Sequence, residues 1–434
     1  ASAQLIEHDL RGQGDRDAAM RDHIVAASKT AFDLAEGPLI RLHVLRLPAS
    51  PDGVERHALV LAVHHIVADG WSMSVLQREL SACYRAFRTG GDNPLPALRI
   101  QYRDFCAWQR ERLASDAAAG HPDYWLRKLS GEIHGLDLPA DHPRPATFTF
   151  TGRTRRFQLS PELTSQLKRL AERADASLFI VLVAAVKVLL YRYTGRTDII
   201  VGTPIAGRDH ADLEDQVGFY ASTLVLRDQL AAERSFLDTL GDVRQTCLDA
   251  YQHQGYPFDL LLGGLRLERD ASRNPVFDVM VVMQEAREAA FTLDGLAVTE
   301  VEVGEEFSRF DLTFNFQEVE DRIQLDLNYN DALFERDRMA RLASHLMQLC
   351  ASLLADPGQA IARIDILPVD ERRRLESYSR TAPAAAETRT LVELFEDQAR
   401  RTPARAAVVC GGGALSYEAP NARGGEPAGF PQAG

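Results

Sequence analysis

Two adjacent histidines, an aspartate four residues after the second and a glycine directly behind it form the stretch with the clearest chemical potential in the chain: HHIVADG, residues 64–70. Neutral imidazole can take a proton near pH 7, because its unperturbed pKa is about 6.5. Neighbouring side chains at the end of a strand point to opposite faces, so only one of His64 and His65 is expected to face a cleft. Asp69 stands across a tight turn. There it is better placed to fix the loop, by accepting backbone amides or pairing with an arginine, than to act as a second base. Gly70 leaves room for close approach and frees a backbone N–H at a helix start, where partial positive charge can steady an oxyanion. Each residue alone also has an ordinary reading. A histidine beside an apolar strand is commonly a satisfied core residue, and an aspartate before a helix is commonly its cap. A metal site is disfavoured, because adjacent histidines seldom converge on one ion and no cysteine or third histidine stands close by.

These side chains need elements to hold them. The upstream run HALVLAV (57–63) is too short for a typical helix and too apolar for a half-exposed strand, which predicts a central strand buried on both faces. Downstream, Met73, Leu76, Leu80, Cys83, Tyr84 and Phe87 recur at helical spacing over 72–87, with Ser74 and Gln77 as a candidate capping box. Residues 39–47 alternate as a strand with one wet face, joined to the apolar run by PASPDG as a hairpin with a long connection. The periodicity predicts further helices at 17–31, 102–113, 121–129, 177–193, 235–252 and 336–354. Further strands are expected at 154–159, 197–205, 310–316 and 323–327, with another in RDASRNPVFDVMVVM (269–283). Prolines 139, 143 and 145 break regular structure and place a boundary near residue 150. Strands and helices mix on both sides of it, so the fold class is α/β.

Composition narrows the partners. The 434 residues are 45% apolar and 26% charged, with a net charge of −13, enough for a sizeable core and without the basic clusters that nucleic acid or an anionic membrane would need. The five cysteines, at 83, 106, 247, 350 and 410, lie far apart without a CxxC pair, as expected for reduced thiols in the cytoplasm. The longest apolar segment, residues 178–190, is too short to span a bilayer and contains Lys187, which predicts a buried helix.

HHIVADG resembles the HHxxxDG signature of the condensation domains of nonribosomal peptide synthetases, which are related to chloramphenicol acetyltransferase. YRDFCAW (102–108), VGFYASTLVLR (217–227), HQGYPFD (253–259) and RDASRNPVF (269–277) resemble the later motifs in the family's order. The resemblance covers residue 1 to about 370. It implies two chloramphenicol-acetyltransferase-like lobes forming a V with a central tunnel, residues 1–150 making the first lobe and 151–370 the second. It also implies that His65 is the active-site residue, that His64 and Asp69 are mainly architectural, and that Arg208 in GTPIAGRD pairs with Asp69, ahead of Arg269 and Arg273. No metal is implied. Tyr256, Pro257 and Phe258 read as packing, and Trp108 as core.

The implied reaction is amide-bond formation between an upstream acyl or peptidyl thioester and the amine of a downstream aminoacyl thioester. Both substrates would be tethered by phosphopantetheine arms to peptidyl carrier domains, with no cofactor bound by this chain. An α-amine has a pKa of about 7.7–8.0, so a histidine near 6.5 suits the more acidic ammonium of a zwitterionic tetrahedral intermediate better than a free ammonium. Positioning the amine by hydrogen bonding is equally compatible. Three departures accompany the match. A stretch that precedes residue 1 in the family is missing, which would leave apolar surface exposed. Ser222-Thr223 stands where the family usually has Asn-Thr. Residues 371–434 read as a linker and the start of an adjoining adenylation domain, with a disordered end, too short to activate an amino acid with ATP. Two alternatives stay open: an epimerisation domain, which shares HHxxxDG and the fold, and an inactive remnant.

Overall fold

In the computed structural model, which describes residues 3–13, 15–50, 52–265, 267, 270–284, 291–301, 307–379, 389–410 and 413–418, the alternating run after residue 39 becomes strand β2 (Ile40–Leu47). It pairs antiparallel with β3 (Arg56–Val63), with Ile40 opposite Val63. A strand β1 (Gln4–Asp9) lies parallel on the other side of β2, so the order among the described residues is β1-β2-β3. Its sequence, QLIEHD, lacks the apolar alternation that would announce it. This corrects the reading of β3 as a central strand buried on both faces. Among the described residues it lies at the edge of the sheet, and its early residues alternate between partly buried and exposed, Leu59 being 44% exposed. The core beneath is small: Leu10, Leu45 and Leu47, flanked by Met20 of helix α1 (Arg16–Lys29) and by Ala58 and Val60.

After β3 come helices α2 (Gly70–Arg88), α3 (Tyr102–Leu113) and α4 (Gly120–Lys128). The chain continues through β4 (Gly152–Gln158), α5 (Pro161–Arg173), α6 (Leu178–Thr194), β5 (Asp198–Ile205), the short α7 (Ala211–Glu214), β6 (Ser222–Gln229), α8 (Phe236–Gln252) and α9 (Phe258–Gly264). Strands β7 (Val279–Gln284), β8 (Leu312–Val319) and β9 (Arg322–Asn330) and helix α10 (Arg336–Ala355) follow. The second sheet runs β4-β9-β8-β7-β5-β6, mixed because β7 lies parallel to both β5 and β8. Helix α6 is its central support. Ser177 caps it by accepting the Ile180 N–H, Gly195 ends it in the left-handed conformation, and every residue from 180 to 190 is buried. A helix apolar on all sides must be enclosed, and α5, α8 and α10 pack around it. No single described helix is long and apolar enough to cross a membrane; α5 and α6 pass such a test only together, bent by 105°.

Trp125, Leu129 and Leu136 join this larger core, so the polypeptide before residue 150 contributes to both cores. Tyr256 and Phe258 pack against it as well. Trp108 does not, which corrects its reading as core. It is 45% exposed, because α3 buries Phe105 instead, leaving the indole against that ring and under the Arg112 guanidinium at 5.1 Å. Residues 1–368 form one compact unit and 369–434 another. In the latter, α11 (Val369–Ser379) occupies part of the expected linker, α12 (Leu391–Arg401) starts with a Thr390–Glu393 capping box, and β10 (Ala406–Cys410) pairs with β11 (Gly413–Ser416). The tail expected to be disordered lies outside the described residues from 419 onward.

Two buried charge clusters shape the second lobe. Lys187, fully buried in α6, donates to the Leu226 carbonyl at 2.8 Å and to the Asp228 carboxylate, which also accepts from Thr246. Lys187→Met leaves Asp228 without its cation and is expected to cost about 3–5 kcal/mol in urea unfolding, while adding Asp228→Leu recovers much of the loss. Elsewhere Asp278 accepts from the Leu136 N–H at 2.9 Å and from Arg273 at 2.8 Å. Burial, and then repulsion from Asp311, push its carboxyl up to about 6 against the pull of Arg273 and Arg144. Because this exceeds the unfolded value of about 3.9, protonation favours the folded state below pH 4, and that support is lost as pH rises through 6. Asp278→Asn is expected to flatten the fall in unfolding free energy between pH 4 and 6, measured by urea titration at each pH.

Candidate active site

The end of β3 is tied down before the turn begins. The His64 N–H donates to Leu39 O at 3.0 Å, and residues 65–67 then turn, closed by the Val67 N–H on His64 O at 3.1 Å. Nδ1 of His64 accepts the Ile66 N–H at 3.1 Å, which leaves the proton of the neutral ring on Nε2, and Phe32 packs edge-on against the ring. His65 follows on the turn. It is exposed, with its ring 4.8 Å from that of Phe219, and among the described residues nothing hydrogen-bonds to its imidazole. Both histidines line one pocket of about 700 Å³, together with Ser28, Phe32, Gly70 and Arg309. The expectation that only one would face the cleft is thus corrected: the strand stops at Val63, and the turn, not strand alternation, sets their directions.

Asp69 is the N-cap of α2, which corrects the Ser74–Gln77 capping box: Asp69 Oδ1 accepts the Ser72 N–H at 2.8 Å, so the helix starts at Gly70. The same oxygen meets the Ser72 hydroxyl at 2.7 Å and the Arg208 guanidinium at 3.1 Å, while Oδ2 accepts the N–H groups of Tyr220 at 3.0 Å and Ala221 at 3.2 Å. Burial works against the charged carboxylate. The Ser72 bonds, then Arg208 and the Tyr220 amide, outweigh it and hold Asp69 below the usual carboxylate range. Its support for the fold is therefore present above about pH 3.9 and lost as pH falls through the lower folded value. Arg208 is equally engaged, donating to the carbonyls of Leu213 and of Gln216 at 2.8 Å and to Ser72 Oγ at 3.0 Å, with Tyr220 stacked 4.2 Å from its guanidinium carbon. Arg273 instead serves Asp137 and Asp278, and Arg269 lies outside the described residues.

The segment between β5 and β6 that carries Arg208 grips the first lobe along its length. Trp71 Nε1 donates to Glu214 O at 2.8 Å, the Tyr102 hydroxyl to Phe219 O at 2.8 Å, and Gln216 to Ile100 O at 2.6 Å. Glycine is required at two of its positions. Gly207 has φ +64°, and a Cβ there would stand 2.1 Å from Tyr220 O; one on Gly218 would stand 2.5 Å from the Tyr102 ring. Gly70 differs: a Cβ there meets nothing within 4 Å, so the fold itself does not demand glycine beside the pocket. Ser72, fully buried at the centre of these bonds, was not singled out in the sequence, although it is the second residue after HHIVADG. Among the described residues no group of three or more His, Cys, Asp or Glu is arranged to hold a metal ion.

Arg208→Ala strands a buried carboxylate and is expected to cost about 3–5 kcal/mol in denaturant unfolding. Arg208→Lys should recover only part of this, because one ammonium cannot replace a fork that serves Asp69, Ser72 and two carbonyls at once.

Residues 2–376 match the family model described as the condensation domain. Over 388 residues the chain is 41% identical to tyrocidine synthase 3 of Brevibacillus parabrevis, covering 89% of this chain and 6% of that protein. It is 36% identical over 403 residues to gramicidin S synthase 2 of Brevibacillus brevis, covering 93% and 9%. The chain thus spans only a small part of the length of these curated relatives. Among solved structures, the X-domain from teicoplanin biosynthesis superposes with a TM-score of 0.75 at 28% identity, over 85% of this chain and 82% of that one. AB3403, a four-domain nonribosomal peptide synthetase, superposes with a TM-score of 0.78 at 20% identity, over 96% and 32%, a likeness of fold alone. Matched along most of its length in sequence and in its two-lobed, chloramphenicol-acetyltransferase-like α/β fold, the chain belongs to the condensation domain family, the acyltransferase-type domain of nonribosomal peptide synthetases.

Proposed function

We propose that this chain joins an upstream carrier-bound acyl or peptidyl thioester to the amine of a downstream carrier-bound aminoacyl thioester. The amine nitrogen attacks the thioester carbonyl, the C–N bond forms, and the C–S bond breaks to release the upstream thiol. The nitrogen gives up one proton on the way. The observation that carries this reading is His65: an exposed imidazole in a pocket of about 700 Å³ that no described residue holds by a hydrogen bond. It is free to take the proton from the ammonium of the tetrahedral intermediate, or to hold the amine in line for attack.

The neighbours have supporting roles. His64 locks the turn through Ile66. Asp69 is neutralised by Arg208 and fixes the start of α2, whose N-terminal partial positive charge at Gly70 favours the oxyanion. The phosphopantetheine arms belong to the carrier domains and enter as substrate. Those carriers and an adjoining adenylation domain are the partners this reading calls for.

The test is mass spectrometry of an acyl-loaded upstream carrier mixed with an aminoacyl-loaded downstream carrier. The chain is expected to produce a carrier-bound amide, and His65→Ala to slow it by about 10²–10⁴-fold. A chain that forms no amide but exchanges the substrate α-hydrogen with solvent deuterium is an epimerisation domain; one that does neither is an inactive remnant. Either result overturns the proposal.

A further inference from the structure

We infer that Arg309 makes this pocket selective for an acyl group whose side chain carries a carboxylate, an inference that rests on the pocket beside His65 being the reaction chamber. Arg309 lines the pocket from the second lobe, together with His64 and His65 of the first. Its backbone is firmly held. Ser308 is 1% exposed and donates its N–H to Phe150 O at 3.0 Å, and Asn274 Nδ2 donates to Arg309 O at 2.8 Å. Gly152 brings the neighbouring strand so close that a Cβ on it would stand 2.5 Å from Ser308 Cβ. Phe150, at φ +57°, stacks its ring on that of Phe307 at 5.7 Å. Phe310 turns inward against Phe277 at 5.3 Å. Between buried Ser308 and inward Phe310, the Arg309 side chain is left exposed, its guanidinium 5.9 Å from the Phe307 ring centre.

Among the described residues the charge of this guanidinium is uncompensated. Asp69 also lines the pocket, but its oxygens are engaged by Ser72, Arg208, Tyr220 and Ala221, and among the described residues no carboxylate pairs with Arg309. A guanidinium fork recognises a carboxylate or a phosphate through paired N–H donors, so an anionic oxygen group is the ligand it fits. Reach selects between the two sources. An extended pantetheine arm, with the bond count of four to five residues, is about 16 Å long, and Arg309 lines the same pocket as His65. With the thioester beside His65, the arm's phosphate falls outside, and the anion within reach is one on the substrate's own side chain.

The experiment is calorimetric titration of the chain with non-reactive pantetheine amides bearing glutamyl or glutaminyl groups, each with and without the terminal phosphate. The glutamyl ligands are expected to bind at least tenfold tighter than the glutaminyl ones. Arg309→Gln should bring that ratio close to one, and Arg309→Lys should keep part of it. Equal binding of glutamyl and glutaminyl ligands by the unmodified chain overturns the inference. So does an Arg309→Gln effect that follows the phosphate and not the side chain, which assigns the arginine to the arm. Binding is read without turnover, so a failure here is separate from a failure of amide formation, which the His65→Ala comparison records.

Discussion

The ion pair between Asp69 and Arg208 is the contact on which the site depends. Their side chains are 2% and 1% exposed, so both charges have left water, a transfer that their mutual attraction alone does not reliably offset. The remaining hydrogen-bonding capacity decides the balance. Asp69 accepts from Ser72, Arg208, Tyr220 and Ala221, and Arg208 reaches two carbonyls besides, although its Nε has no partner among the described residues. An arrangement this specific selects one placement of α2 against the segment between β5 and β6. Replacing it with apolar residues could match its stability but not its directionality.

The two lobes carry very different cores. The second has a mixed sheet packed with a helix buried from residue 180 to 190, and the first rests on three leucines beneath three described strands. The histidines sit on the weaker side, at the end of an edge strand. Such a turn would wander if the first lobe alone supported it. The bonds from Arg208, Gly218, Phe219, Tyr220 and Ala221 lend it the stiffness of the larger lobe. The site is thus built by one lobe and made rigid by the other.

Much of this was legible in the chain. Helix α6 was expected as a buried helix from its unbroken apolar run alone, because such composition is a local signal. The misreadings share a cause. Apolar composition reports that β3 touches a core, not how many strands flank it, so an edge strand passed for a central one. Asp69 and Ser74 both offered a start for α2, and only the Ser72 amide decides between them. Strand alternation predicted one histidine in the cleft, but it ceases where the turn begins. β1 was missed because its pairing with β2 is made by backbone atoms, which leave no mark in side-chain pattern. Arg208 came from family likeness, since no local spacing links residues 139 positions apart.

That separation also orders events in time. As the chain leaves the ribosome, the β2–β3 hairpin and the first turn of α2 can form at once, for Asp69 finds the Ser72 amide and hydroxyl three residues away. Its other partners, Arg208 and the amides of Tyr220 and Ala221, do not yet exist. Until they arrive the carboxylate must stay hydrated, so the first lobe keeps a wet seam where the finished protein has a dry one. Long-range closures of this kind come late in folding. The histidine pocket therefore matures late, and a nascent chain that has not yet reached Arg208 holds the whole HHIVADG motif without yet possessing a site.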